Sequence, residues 1–576
     1  MDNMIPRRFK YEGWLYMLAF LLALGLRLIQ LGTLPLTDAE AGPALQALRL
    51  SQGLRPALSP HPIYILFTTP IFFLYGGTTN FLARLIPALV GSTLVLLPTL
   101  IEGRLKPRPS LILAFFLAIE PGLVTLSRTA ASGIFAILFL LFAWGFWINE
   151  RKRLAGAFAA LALLSGPFVW AGLLTFGITW AIRQGMEGRA AKKELEVTGE
   201  EQSLPESRPN IEVRPALISF ITTFMLVGTL FFLIPTGISA ALASLPEYLR
   251  GWNLYNGVPS GQLFLSLIVY QPLAVILALI AIGRGWWQRS RRIFLLSLWF
   301  LVALLLAVFY PFRQMSDIVW ALIPLWSLAA LELARQLNIH PNERREVIGV
   351  ALLTVFILVF SWLDLAALVW LPIPSRESNL RIGLLIGSLL LLVISIVLVG
   401  FGWSIRSARF GAIWGLTIAL GIFGFSGMLG AAGLRGTANM ELWSSPSRPA
   451  QAELLDAAIG DLSEWAVGDK HALPVVIVDV DSTALEWALR NHPVSFAEAL
   501  DPSASPDFVI TTFAIDPTLA ASYRGQDFTW RQTPAWETSE IQTWIRWITL
   551  REMPQNYETI ILWARDDLFL DAAPLP

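Results

Sequence analysis

The sequence predicts a mostly α-helical, polytopic membrane protein of about thirteen transmembrane spans, followed by a C-terminal extracytoplasmic α/β domain. Three observations lead there. Apolar runs long enough to cross a bilayer as helix recur along most of the 576 residues, 55% of which are hydrophobic. Lys and Arg cluster in alternate loops. The zero net charge also divides unevenly: from Leu434 onward there are 21 acidic and 9 basic residues, so a basic part (1–433) carries an acidic one (434–576). With no cysteine, disulfides, Cys-ligated metals and thiol catalysis are excluded.

Taken in order, Arg7, Arg8 and Lys10 precede the first run, about 14–31, and assign the N-terminus to the cytoplasm. That run contains Arg27 and no clear small-residue cleavage site, so it reads as a retained span rather than a signal peptide. An outer loop, 32–81, follows. Within it "HPIYILFTTPIFFLYGG" (61–77) is interfacial or re-entrant, because a crossing there would put the basic "GRLKPRP" outside. Further spans are expected near 82–101, 111–127, 133–148, 154–168, 169–184, 213–235, 262–282, 293–309, 318–334, 347–371, 380–400 and 410–433. Gly166 and Pro167 interrupt 154–184 and suggest a helical hairpin, while the polar stretch 185–212 reads as a flexible cytoplasmic linker. In this arrangement the inside loops hold 24 Lys and Arg and the outside loops before the tail hold six, and the odd span number puts the tail outside the plasma membrane. In the tail, "PVVIVDV", "DFVITTF" and "ETIILWAR" read as buried strands, and 483–491 and "EIQTWIRWITL" as helices.

Chemistry concentrates on the outer face. "LTDAEAGPALQALR" places Asp38 and Glu40 just beyond the first span. Thr37-x-x-Glu40 fits a capping box, but Pro43 would then lie inside the helix, where its ring and missing N–H are costly. Pro43 as the first helical residue, with Gly42 as N-cap and Gly53 closing the helix, leaves both acids in the preceding loop. His61 lies on the same face. Glu120-Pro121 breaks the 111–127 helix just before "TLSRTAAS", which brings Arg128 to the surface of the two acids. Charges in spans are costly and mark candidate sites, although Arg27, Arg84 and Arg128 also suit snorkelling to headgroups and Glu120 suits satisfying the backbone freed by Pro121. Carboxylates facing arginines suit deprotonation of an acceptor beside a departing phosphate.

Other features read as structural. "VVIVDVDSTAL" resembles the start of a haloacid-dehalogenase phosphatase around Asp479, but the last lysine, Lys470, precedes it. "GMLGAAG" (427–433) reads as small-residue packing in a span. The four histidines (61, 340, 471, 492) show no metal spacing, and Trp536, Trp544 and Trp547 read as core rather than a sugar platform.

The order "LGLRLIQLG", "LTDAEAGPALQALRLSQG", "HPIYILFTTPIFFLYG", "ARLIPALVGSTLVLLPTLIEGRL" and "FFLAIEPGLVTLSRTAASGIFAILFLLFA" resembles the GT-C membrane glycosyltransferases, the superfamily of protein O-mannosyltransferases and lipid A aminoarabinose transferases. "YPFRQMSDIVWALIPLWSLAALELA" looks like that superfamily's segment near the donor phosphate. The tail motifs "DSTALEWALRNHP", "YRGQDFTWRQTP" and "ETIILWARDDLF" are similar to a subgroup described as flippase-activity-associated membrane proteins. The resemblance implies inverting transfer of a sugar from a polyprenyl-phosphate donor to a glycan, lipid or protein acceptor at the extracytoplasmic face, with no nucleic-acid partner. By position it makes Asp38 or Glu40 the catalytic base, or the holder of a divalent metal (Mg or Mn) if one is used. It gives Arg128, Arg313 and Arg84 to the donor phosphate and leaves Glu120 and His61 as further site candidates. The chain departs from the pattern where Ala39 splits the usual acid pair and Ala131-Ser132 replace a second-loop acid. Those departures are what a non-catalytic scaffold or flippase-associated protein in surface-glycan assembly would show.

Overall fold

The computed structural model describes residues 12–198, 213–255, 257–337, 343–435, 440–443, 447–512, 519–537 and 540–569. Arg7, Arg8, Lys10, His340 and part of the expected linker, 199–212, lie outside them.

The first part of the chain is helical throughout. Helix α1 (Glu12–Leu28) leads into the segment that carries α2 (Asp38–Ser51) and α3 (Pro62–Tyr75). At 14 residues, α3 is only about 21 Å long, short of a bilayer core. Next come α4 (Asn80–Thr93), α5 (Leu97–Leu105), α6 (Pro107–Ile119), α7 (Pro121–Ser127), α8 (Ile134–Ile148), α9 (Lys152–Leu163) and α10 (Phe168–Thr198). The chain turns between α9 and α10 where Gly166 adopts a positive φ of 97°, but the two do not form the expected hairpin: α9 packs on α8 and α11, and α10 on α15. Helix α10 continues to Thr198, so residues 185–198 are helix and not the flexible linker expected there.

Eight helices follow: α11 (Arg214–Gly228), α12 (Thr236–Arg250), α13 (Ser260–Tyr270), α14 (Pro272–Trp287), α15 (Arg291–Phe309), α16 (Val319–Arg335), α17 (Arg344–Ala367) and α18 (Arg376–Gly402). Helix α19 (Ile405–Ala431) ends the bundle. Among the described residues, six helical segments are long and apolar enough to cross a membrane, or up to eight if two bent pairs count as one span each. Every expected span contains helix, and six to eight of these segments meet the length criterion for a crossing. Helix α16 is buried nearly all round, its Glu332 paired with Arg284, while the more apolar α18 is mostly exposed.

The two bent pairs share one cause. Helices α6 and α7 meet at 56° across Glu120, and α13 and α14 at 90° across Gln271. The first break is the one that Pro121 predicts. The second corrects the straight span expected over 262–282, since Pro272 likewise lacks the N–H and crowds the preceding turn. The two breaks touch: the Gln271 amide donates to the Glu120 carboxylate.

The tail is one mixed six-stranded sheet, ordered β1-β5-β6-β4-β2-β3. Its strands are β1 (Arg448–Pro449), β2 (Val475–Val478), β3 (Val494–Ala497), β4 (Phe508–Thr512), β5 (Tyr523–Pro534) and β6 (Gln555–Arg565). Strands β3, β2 and β4 run parallel, and β4, β6, β5 and β1 pair antiparallel. Helices α20 (Ala452–Val467), α21 (Thr483–Ala488) and α22 (Ile541–Leu550) accompany the sheet. The three strands and two helices expected from sequence are all present.

Candidate functional site

The segment after α1 and the tail are sewn together through α2 and α21. Asp38 Oδ1 accepts hydrogen bonds from Ser482 Oγ (2.6 Å) and the Ala484 N–H (2.9 Å), and Oδ2 accepts one from the Arg531 guanidinium (2.9 Å). Thr483 Oγ1 donates to the Asp38 carbonyl at 2.7 Å, and Arg49 pairs with Glu486. Beside them Trp487 Nε1 donates to Asn80 Oδ1 (2.8 Å) and Arg490 to Thr78 Oγ1 (2.8 Å).

Helix α2 begins at Asp38, with Thr37 as N-cap and Glu40 completing a capping box. This corrects the expectation that Gly42 caps a helix starting at Pro43, although Gly53 does lie just past the helix end, at φ 82°. The cost of Pro43 inside the helix is outweighed by what Glu40 gains. Its Oε1 accepts from Arg84 Nε (2.8 Å) and the Ala130 N–H (2.9 Å). Its Oε2 accepts from an Arg84 terminal nitrogen (2.8 Å), the Thr37 N–H (3.1 Å) and Thr37 Oγ1 (3.2 Å). Burial pushes this carboxyl toward its neutral form, but the Arg84 charge and the donated hydrogen bonds outweigh burial and hold its pKa below the ordinary value.

The neighbouring arginines are engaged by backbone. Arg84 also donates to the carbonyls of Leu31, Leu34 and Pro35. Arg128 donates to the carbonyls of Leu26, Arg27, Ile29, Gln30 and Ala432. The two therefore fasten the chain where it leaves α1, satisfying carbonyls that the helix end leaves open. Arg27 does the same for the end of α6, donating to Leu117 and Ala118. Glu120 caps α7 by accepting from the N–H groups of Gly122 and Leu123, the backbone role that its place before Pro121 suits.

Glu40, Arg84 and Arg128, but not Arg27 or Glu120, wall a cavity of about 180 Å³ at the seam between bundle and tail. Its lining includes Thr37, Glu40, Arg84 and Arg128 from the bundle and Trp443, Arg448 and Gln532 from the tail. Trp443 reaches it because residue 122 is glycine: a Cβ there would lie 2.5 Å from the indole. Among the described residues, the guanidinium of Arg448 has no hydrogen-bond or salt-bridge partner. Burial, then the nearby Arg84 charge, lowers its pKa, with Glu40 and Glu441 opposing. Glu441 sits below, hydrogen-bonded by Tyr270 and near Arg551, in a gap left by Gly430, where a Cβ would lie 2.1 Å from Glu441 Oε1.

The expected site residues thus divide. Glu40, Arg84 and Arg128 share the cavity; Asp38 lies beside it in the domain junction. Arg313 and His61 do not line it. Arg313 closes the end of α15, donating to the carbonyls of Val258, Val308 and Tyr310, and His61 is the N-cap of α3. Arg448 and Trp443 escape sequence reasoning, since "SSPSRPA" carries no motif and their position depends on how the tail docks. Among the described residues no three His, Asp or Glu side chains converge as a metal would require. The cavity wall offers guanidinium groups and one carboxylate already saturated by Arg84, a donor set that suits an anion and not a divalent cation. Elsewhere, Trp536, Trp544 and Trp547 pack on one another, and Lys470 pairs with Glu464 rather than serving Asp479.

No protein-family model matches the chain and no curated protein matches it. Solved structures do. Crystal structures of ArnT from Cupriavidus metallidurans, in the apo state and bound to undecaprenyl phosphate, align with 98% of this chain and 99% of theirs. Their TM-scores are 0.56 and 0.52, at 13% and 14% identity. The likeness is one of fold and extends over bundle and tail alike.

Proposed function

We propose that the chain is a GT-C-type membrane glycosyltransferase that takes a sugar from a polyprenyl-phosphate donor at the extracytoplasmic face, with the N-terminus in the cytoplasm. The observation that carries this reading is the cavity at the seam, where, among the described residues, Arg84, Arg128 and Arg448 meet a single carboxylate, Glu40. An excess of positive charge, with Arg84 and Arg128 buried and Arg448 part-buried, suits an anion such as a phosphate. The full-length fold likeness to ArnT, which has been solved with undecaprenyl phosphate, supports a lipid phosphate. In the reaction an acceptor hydroxyl attacks the anomeric carbon as the bond to the phosphate oxygen breaks, inverting the centre. The hydroxyl proton passes to a carboxylate, and the leaving phosphate remains on the arginines.

Of the two acids, Asp38 suits the base better. A carboxylate has about four acceptor sites. Glu40 has five donors on it, whereas Asp38 has three and its side chain is 35% exposed. Glu40 then acts as a positioning residue for Arg84. No step is assigned to a metal.

A second reading, binding of a lipid-linked glycan without transfer, is favoured by one fact: Asp38 also ties the tail to the bundle through Ser482, Ala484 and Arg531. Membranes supplied with polyprenyl-phosphate sugars separate the two. The transferase reading expects sugar transfer by the wild type and none by folded Asp38→Asn. Transfer by that variant at the wild-type rate would rule Asp38 out as base, and lipid binding without transfer by the wild type would favour the second reading.

A further inference from the structure

The three guanidinium groups of the cavity are not equivalent. Arg84 is occupied by both oxygens of Glu40 and by three carbonyls, and Arg128 by five carbonyls. Both are fixed before any ligand arrives: Arg84 has all five N–H donors on protein oxygens, and Arg128 has all but one, on Nη2. They contribute mainly field, with one N–H of Arg128 left over. Arg448 is the opposite case: it lines the cavity, lies within the field of Arg84, and has no partner of its own among the described residues. Arg448 is only part-buried, so its guanidinium is open to a ligand that enters the cavity. Arg448 is placed by β1, whose Arg448 and Pro449 pair with Gln532 and Arg531 of β5. Arg531 is in turn the residue that holds Asp38. The strand that presents the free guanidinium is therefore one hydrogen-bonded step from the junction between tail and bundle.

Resting on the reading of this cavity as an anion receptor, we infer that Arg448 is the residue through which the cavity binds a phosphate-bearing ligand, and that binding fastens the tail onto the bundle. The guanidinium fork matches two phosphate oxygens, which a point charge does not. Because the fixed arginines belong to the bundle and the free one to the tail, the bound phosphate sits between them. A ligand that contacts both parts only when they are docked stabilises the docked arrangement by linkage.

The test uses the full chain in phosphatidylcholine nanodiscs, with undecaprenyl phosphate and inorganic phosphate as probes. Affinity is read from the change in tryptophan emission, and tail docking from hydrogen exchange in α21, which packs on α2. The wild type is expected to bind and to gain protection in α21. Arg448→Gln is expected to lose at least roughly tenfold in affinity, the scale of one lost charge-assisted contact, together with the protection. Arg448→Lys, which keeps the charge without the fork, is expected to fall between them and serves if Arg448→Gln does not fold. Arg524→Gln, which breaks an exposed pair with Asp566, controls for loss of tail charge and is expected to bind normally. Binding of undecaprenyl phosphate alone identifies a lipid headgroup; competition by inorganic phosphate identifies the phosphate group itself. Binding by Arg448→Gln within twofold of wild type, wild-type binding of neither probe, or binding without added protection in α21 overturns the inference. Arg448-dependent binding without sugar transfer would remove the transferase reading and leave the inference standing. Normal transfer by Arg448→Gln would do the reverse.

Discussion

Replacing Glu40 by alanine is expected to destabilise the junction by about 3–5 kcal/mol, the cost of leaving a buried charge without its partner. Glu40 is 3% exposed and Arg84 6%, and Arg84 grips both carboxylate oxygens at 2.8 Å. Without Glu40 the Arg84 guanidinium stays buried beside Arg128 and Arg448 with only carbonyls for company. The lost capping contacts with Thr37, about 1 kcal/mol by themselves, fall within that range. Arg84→Met strands Glu40 in the same way and carries a similar cost. The diagnostic is the double variant. Once either partner is gone, removing the other costs little, so Glu40→Ala with Arg84→Met lies near the worse single variant and far from the sum. The assay is unfolding of the chain in nanodiscs, followed by circular dichroism and tryptophan emission for wild type, both singles and the double. Glu40→Ala within about 1 kcal/mol of wild type, or a double variant equal to the sum of the singles, would refute the structural assignment of this pair.

The same carboxylate sets a pH dependence. Its pKa is held below the ordinary value, so its stabilisation is complete above about pH 4.3, the ordinary carboxylate value, and is lost as pH falls through the lower folded value. The stability gap between wild type and Glu40→Gln should therefore be widest near neutrality and shrink below about pH 4; a gap that widens on acidification contradicts this. Gly122→Ala pits helix propensity, which favours alanine by about 1 kcal/mol, against a Cβ 2.5 Å from the Trp443 ring. Overpacking of about 1–3 kcal/mol should win, so the thermal midpoint falls and tryptophan emission shifts. By contrast Gly103→Ala in α5, where a Cβ meets nothing within 4 Å, should be neutral or stabilising.

What the sequence discloses depends on how local each cause is. The break at Glu120 is legible because a proline inside an apolar run removes a backbone donor whatever surrounds it. Gln271-Pro272 carries the same signal, but the apolar letters of "LIVYQPLAVI" on either side hide a 90° bend. The start of α2 misleads for the opposite reason. Pro43 argues locally for a late start, and the forces that override it come from Arg84 and Ala130, 44 and 90 residues away. In the tail, β2, β4 and β6 show as apolar runs, whereas β5 is exposed along its first half and has no such pattern. Arg448 has no local signature, because its value lies in having no partner once β1 is paired and α21 is docked.

The positive character of the cavity comes from how the fold closes its own broken ends. Where α1 stops and α6 breaks, carbonyls are left open in the buried interior, and such groups must be satisfied internally. Arginine is suited to this, with five donors on one planar head. Arg128 closes the end of α1, Arg27 the end of α6, and Arg84 the loop beyond α1. Each repair brings a positive charge to the same neighbourhood, and among the described residues Glu40 is the carboxylate that lines the cavity itself. The positive charge of the cavity is thus produced by backbone satisfaction in the bundle, while the free guanidinium fork is supplied by the tail. Neither part makes a complete site alone: detached from the bundle, Arg448 would be an ordinary solvated cation, and without Arg448 the arginines of the bundle would offer field and one open N–H of Arg128 but no free fork.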